Sequence, residues 1–191
     1  MRACLEDQGS CGCCLILQEV NRLRTNFNTT LTKLEKEYSL IKQRLNNTEA
    51  SRIAFSVTFT DTRFLCYGPF RDDKPIIYNN VFLNLGGGYN VGTGIFTVPR
   101  SGVYTIAISI YSDAGAAGSL LAACASLQVN GQLVAASTDK NSYDQEDSAT
   151  IVVVLQLRAE DQVAVNLLKD CFLCDNSHYN TFSAFLLYAA E

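Results

Sequence analysis

From Cys13 onward the larger side chains recur at Cys13, Ile16, Val20, Leu23, Phe27, Leu31, Leu34, Tyr38, Ile41, Leu45 and Thr48. The steps alternate between three and four residues, with one extra four-residue step from Phe27 to Leu31. This is a heptad seam about five repeats long, carrying a single stutter. Asn, Arg, Lys, Glu and Gln fill the positions between. A stripe this narrow on an otherwise polar helix cannot bury itself alone, so the pattern predicts a helix over 15–51 that associates with other helices. The alternative, an amphipathic helix lying on its own domain, fits less well with so sustained a repeat. Phe27 and Tyr38 in the seam, with few β-branched residues, do not select between two, three and four strands.

At Arg52 the period drops to two. Ile53, Phe55, Val57 and Phe59 alternate with Ala54, Ser56, Thr58 and Thr60, as in a half-buried strand. Further strands are predicted over 76–78, 81–85, 92–98, 103–112, 119–129, 132–138, 148–158, 162–168 and 179–189. Turn residues separate them: Gly86-Gly87-Gly88, Pro99 to Gly102, Asn130-Gly131 and the polar run Lys140 to Asp147. Asn130-Gly131 between apolar runs is a strong hairpin signal. The pattern therefore reads as an all-β, ten-stranded sandwich or barrel (52–191) behind a coiled-coil oligomerisation helix (15–51) and a cysteine-rich segment (1–14). The apolar strand 179–189 needs cover on both faces, which places it in the middle of a sheet or at a subunit interface.

At this level of detail the sequence resembles the globular domain of complement C1q and its relatives, a jelly roll related to tumour necrosis factor. Tyr78, Asn84, Tyr89, Phe96, Gly102, Tyr104, Ile106 and Ile108 stand at the spacings of that family's signature. Ile53 to Val57 looks like its first strand, and Thr181 to Tyr188 like its last. The departures are Tyr78, Ile106 and Ile108, where the family usually has Phe or another aromatic, and Ala184, where Gly is common. These are apolar exchanges that alter packing detail rather than fold. No Gly recurs at every third position, so the family's collagen stalk is missing. A short helical stalk with cysteines before it looks most like the cerebellin-like branch. The resemblance implies a homotrimer, and hence a three-stranded stalk. Independently, Thr105, Ala107, Ser109 and Tyr111 form the lesser face of their strand, as a sheet in close contact with a neighbour would show.

Charge divides at the same boundary. Residues 1–52 carry eight basic and six acidic side chains, net +2; residues 53–191 carry seven and thirteen, net −6. The total of −4 argues against a nucleic acid held by phosphate neutralisation. No apolar run approaches the roughly 20 residues that cross a bilayer, so no membrane insertion is expected. A charged start, apolar stretch and small-residue cleavage site are not seen, so a secretory leader has been removed or never existed.

Half of the eight cysteines precede the helix. Cys11, Cys13 and Cys14 allow a soft-metal site, but no His lies near. At the mouth of a parallel bundle identical cysteines meet their own copies, so interchain disulfides are the favoured reading. Their excess over what one trimer can pair would permit links to a hexamer or higher, as in cerebellin-like proteins. Cys171-Phe172-Leu173-Cys174 has the spacing of a redox or zinc half-site without its second half. A loop disulfide, or pairing elsewhere with Cys66 available, is favoured. Cys124, inside an apolar strand, reads as a buried small hydrophobe. Asn28 and Asn46 begin N-glycosylation sequons outside the seam. Cysteine use, sequons and resemblance point together to an extracellular, secreted protein.

Catalytic chemistry is not evident. His178 stands in a polar loop, and no nucleophile, base and orienting acid fall in order. The glycines 86–88 lack the Lys and following helix of a phosphate loop. Asp72-Asp73, Glu146-Asp147 and Glu160-Asp161 lie in turns. No cofactor is expected. Calcium is the one ion the resemblance brings in, since some members bind it near the trimer apex. Asp113 stands roughly where such a loop would be, but residues 114–118 add no second carboxylate, and hard cations need several oxygens. The expectation is a non-enzymatic trimeric head that binds extracellular proteins or glycans multivalently, as a receptor-bridging, adhesion or synapse-organiser-like factor. The alternatives are an innate-immune recognition head for glycans or microbial surfaces, and a cytokine- or hormone-like ligand.

Overall fold

The structure, a computed structural model, describes residues 11–60, 66–113, 121–141, 146–174 and 178–190. The chain divides into two compact units, Met1–Glu49 and Ala50–Glu191, within two residues of the boundary at which the hydrophobic period changes.

The described part of the first unit is one helix, α1, from Cys11 to Ala50, 40 residues and about 60 Å long at 1.5 Å per residue. Gly and Pro are absent from 13 to 67, so nothing in the backbone interrupts it. Thr25, Thr29, Thr30, Thr32 and Thr48 would otherwise weaken it. Each donates its hydroxyl to the carbonyl four residues earlier, at 2.8–3.0 Å, so the helix absorbs them. All eight principal seam residues, Val20, Leu23, Phe27, Leu31, Leu34, Tyr38, Ile41 and Leu45, are exposed in the single chain.

The second unit is a sandwich of two antiparallel sheets. In chain order the strands are β1 (Ala54–Thr58), β2 (Lys74–Pro75), β3 (Asn80–Leu85), β4 (Tyr89–Asn90), β5 (Ile95–Thr97) and β6 (Gly102–Asp113). They continue with β7 (Leu121–Val129), β8 (Gln132–Asn141), β9 (Glu146–Leu157), β10 (Gln162–Leu167) and β11 (Thr181–Ala189). One sheet runs β3-β1-β11-β6-β9 and the other β4-β5-β10-β7-β8, with the two-residue β2 beside β10. The first and last strands of the unit are thus neighbours, and apolar β11 occupies the centre of its sheet, one of the two places its composition allows.

Two strand predictions change. Over 76–78 the alternation is real, with Ile76 and Tyr78 buried and Ile77 exposed. Ladder pairing instead falls two residues earlier, at Pro75 and Lys74. The span 92–98 begins in a tight turn in which the Asn90 carbonyl accepts from Thr93 and Gly94, so only Ile95–Thr97 of it is strand, β5, paired with the two-residue β4 before the turn. Asn130 and Gly131, at φ 52° and 76°, make the tight β7–β8 hairpin that their sequence demands.

The core lies between the sheets. Tyr104, Ile106, Ile108 and Ile110 of β6, with Phe182 of β11 and Phe55 and Val57 of β1, face Phe96, Leu127, Val163, Val165 and Leu167. Phe55 is the hub: it stacks on Tyr89 at 5.1 Å, tilts against Phe96 at 4.6 Å and meets Phe182 edge-on at 4.7 Å. Such ring pairs add about 0.5–1.5 kcal/mol each beyond area burial.

Candidate assembly and binding surface

The signature residues build the scaffold. Tyr78, Tyr89, Phe96, Tyr104, Ile106 and Ile108 are buried core. Asn84 accepts from the Tyr89 amide and donates to its carbonyl, closing the glycine turn between β3 and β4. The Tyr89 hydroxyl donates to the Tyr78 carbonyl, and the Tyr104 hydroxyl to the Arg100 carbonyl at 2.7 Å. Burial pushes the Tyr78 hydroxyl well up, Tyr89 up to about 12, and Tyr104 up less strongly, the hydrogen bonds of the last two opposing the shift. At Gly102 a Cβ would sit 2.5 Å from the Tyr188 carbonyl and from Leu186 Cδ1, so β6 and β11 pack together only over glycine. None of these groups faces outward. They position a surface instead.

That surface is the outer face of the five-stranded sheet. Register places Leu85, Ala54, Phe185, Thr105 and Val154 in one row across it, and Leu83, Ser56, Ser183, Ala107 and Val152 in the next. The third row is Asn80, Thr58, Thr181, Ser109 and Thr150, in which Thr58 is buried, its hydroxyl donating to the Asn180 carbonyl. The middle of the face is built from small residues, and Ser56 and Ser183 hydrogen-bond each other at 2.9 Å. Its flanks are apolar and exposed: Leu83 and Leu85 on β3, Val152 (64 %) and Val154 on β9, with Phe185 between. A smooth centre with apolar walls accepts another protein surface closely.

The sequence pattern missed one part of this surface. On β3, Val57 pairs with Val81 and Ser56 with Leu83, so a bulge leaves Phe82 unopposed. Phe82 is exposed, with the His178 ring centred 6.3 Å away. The run Val81-Phe82-Leu83, which breaks the alternation, was the available signal.

The two ends of the sandwich differ. At one end Ser51, where the chain enters, accepts a hydrogen bond from Arg100, and the Ala190 amide donates to the Ser101 carbonyl. Asp161 lies at this end also, accepting from the Arg158 amide and the Asn130 side chain. These bonds hold its carboxyl below the usual range, the Arg158 amide contributing most. Thr58, Asp113, Leu121, Asn141, Glu146 and Thr181 end their strands together at the opposite end. Residues 61–65, 114–120, 142–145 and 175–177, which follow or precede those strands, lie outside the described residues. They include the middle of the polar run Lys140 to Asp147, with Asp144, and the segment after Asp113.

Disulfides brace this end; the reading of Cys124 is corrected, and of the two readings of Cys171 and Cys174 one holds. Cys124 pairs with Cys171 and Cys66 with Cys174. Cys124 is as buried as a hydrophobe, but it is a crosslink. Along the extended segment 171–174, Cys171 and Leu173 are buried while Cys174 is only half-buried, so residues three apart face opposite sides and cannot meet. The pairing elsewhere, with Cys66 as one partner, is what the structure shows. Both cysteines of that motif are thereby unavailable as nucleophiles or ligands. Among the described residues no three His, Cys, Asp or Glu side chains converge on a common point.

On α1, Cys14 is disulfide-bonded and Cys13 is an exposed free thiol. The Cys11 side chain and Cys4 lie outside the described residues. Asn28 and Asn46 are both exposed on the helix.

Comparison with known proteins matches the profile of the C1q domain to residues 54–187. Zebrafish Caprin-2 is 29% identical over 132 residues, 69% of this chain but 14% of that protein. Human Multimerin-1 is 28% identical over 123 residues, 60% of this chain and 9% of its own. The chain thus spans about a seventh or less of the curated relatives it matches. Among solved structures, the globular domain of zebrafish complement 1qA superposes with a TM-score of 0.56 at 22% identity, covering 72% of this chain and 99% of that one. Eiger TNF from S. frugiperda superposes at 0.55 with 16% identity, covering 74% and 96%. Murine APRIL at pH 5.0 superposes at 0.52 with 12% identity, covering 71% and 99%.

Proposed function

Because the chain belongs to the C1q domain family, we propose that it is a secreted, non-enzymatic trimer whose heads bind extracellular partners multivalently through the end of the sandwich opposite Ser51. The observation that carries this reading is the outer face of the five-stranded sheet. Small residues (Ala54, Ser56, Ser183, Ala107) run between exposed Leu83, Leu85, Phe185, Val152 and Val154. An unaccompanied soluble domain has no reason to hold that arrangement in water. Each of those large side chains gains about 1.5–3 kcal/mol when fully covered. The seam of α1 asks for the same treatment along its whole length.

The helix gathers three chains, the sheet faces lock the heads, and three identical ends then act at one effective concentration. The head's net charge of −6 favours a basic protein surface over an anionic membrane. Two disulfides bracing that end suit a compartment where they persist, and among the described residues no helix is long and apolar enough to cross a membrane. Bridging of cell-surface receptors is the role this multivalency serves best.

Sedimentation of the full chain at micromolar concentration tests the assembly. A single species at three times the 20.9 kDa chain mass is expected, and Ala107→Glu with Val152→Glu should release the heads while leaving each folded. A lone 20.9 kDa particle would overturn the reading. Binding of isolated heads to cell-surface proteins, weaker than that of the stalked trimer, is the corresponding result for partner recognition.

A further inference from the structure

Each principal seam position of the a type on α1 is followed by one residue on the flank: Asn21 after Val20, Asn28 after Phe27, Thr32 after Leu31, Ser39 after Tyr38 and Asn46 after Leu45. All five are exposed, uncharged and polar. Elsewhere the solvent side of the helix is heavily charged, with Arg22, Arg24, Lys33, Lys36 and Lys42. At about 100° per residue this flank lies roughly 130° from the centre of the seam, on the outside of any bundle that the seam closes. Asn28 and Asn46 are eighteen residues apart, five whole turns, so they project in the same direction about 27 Å from one another. Each begins an Asn-x-Thr triplet.

We propose that Asn28 and Asn46 both carry N-linked oligosaccharides, forming a glycan ridge along the stalk that confines helix association to the seam. The inference rests on the extracellular reading above. Each modification joins the Asn side-chain nitrogen to the anomeric carbon of a lipid-linked oligosaccharide diphosphate. The new carbon–nitrogen bond replaces the carbon–oxygen bond to the diphosphate, one amide proton is released, and the lipid diphosphate leaves. In the finished helix the Thr30 and Thr48 hydroxyls are committed to the Asn26 and Arg44 carbonyls. Transfer therefore belongs to the nascent chain, before α1 winds. An uncharged ridge suits a sugar, which needs room and water rather than ion pairs. Bulk at two heights on every helix then blocks side-by-side packing of assembled stalks, which the seam alone does not forbid.

The test is expression of the full chain behind a cleavable leader in a eukaryotic secreting cell, with intact mass measured on chain from both medium and cells. Two glycan increments are expected above the 20.9 kDa polypeptide, and peptide N-glycosidase should convert Asn28 and Asn46 to Asp. Asn28→Gln and Asn46→Gln should each remove one increment. Thr30→Ala should remove the first and Thr30→Ser restore it, which separates sequon chemistry from damage to the helix. Bare polypeptide mass in both fractions overturns the proposal. A secreted trimer without sugar overturns it alone, whereas a glycosylated monomer leaves it standing and removes the trimer reading. Enzymatic stripping of the folded protein should increase the fraction sedimenting faster than the trimer; unchanged sedimentation overturns the shielding role.

Discussion

Phe27 and Tyr38 of the stalk and Phe55 and Tyr104 of the head are the same residue types in opposite circumstances. The first pair is about two-thirds exposed in a single chain (67 % and 66 %), and the second pair is 2 % exposed or less. The head completes its core within one chain, because two sheets can bury each other's inner faces. The stalk has only one helix and one stripe, so its apolar residues can be covered only by other copies. Head stability is therefore a property of the chain, and stalk stability a property of concentration and partners. The outer face of the five-stranded sheet stands between the two, attached to a finished core yet apolar enough to need a neighbour.

The contrast breaks most visibly in the seam. Leu23→Asp with Leu34→Asp should abolish the helical circular-dichroism signal of the stalk and its association, with the head's melting transition unmoved. If the head melts earlier as well, the two units are not independent. Within the head, Phe55→Ala removes the hub of the ring cluster and should cost about 3–5 kcal/mol in urea unfolding, with the isolated head giving the same loss as the full chain.

A smaller effect runs in the favourable direction. The Tyr78 hydroxyl is fully buried and has no hydrogen-bond partner among the described residues. Tyr78→Phe should therefore stabilise the head by about 1 kcal/mol, read as a raised urea midpoint at unchanged slope. Loss of stability would mean that the hydroxyl has a partner.

Titration sharpens the comparison further. Tyr78, Tyr89 and Tyr104 hold their protons above the ordinary value of 10.0. Between pH 10 and 12 the native head keeps protons that the unfolded chain releases, so stability present below pH 10 should fall across that window. At the acid end Asp161 is held below 3.8. Its contribution is present above that value and lost as pH falls through the lowered one, a smaller effect because the group is solvated. Asp161→Asn should flatten the acid limb and leave the alkaline limb intact.

Periodicity alone revealed the helix, most strands and the small outer face of β6, because burial on one side imposes a period that any reader of the chain can count; the apolar content of β11 left two places for it, the middle of a sheet or a subunit interface, and the sheet order decided. The family signature was legible for the same reason: Tyr104, Ile106 and Ile108 alternate, and Gly102 marks a backbone contact. Tertiary structure alone decided which cysteines meet. Cys124 and Cys171 are 47 residues apart and Cys66 and Cys174 are 108 apart, and proximity across a sandwich leaves no local trace. It also decided which residue of Val81-Phe82-Leu83 falls in the bulge, and which rows of side chains from five strands line up into one face. A strand's own pattern says that it has two sides; only its neighbours in the sheet determine what each side is joined to.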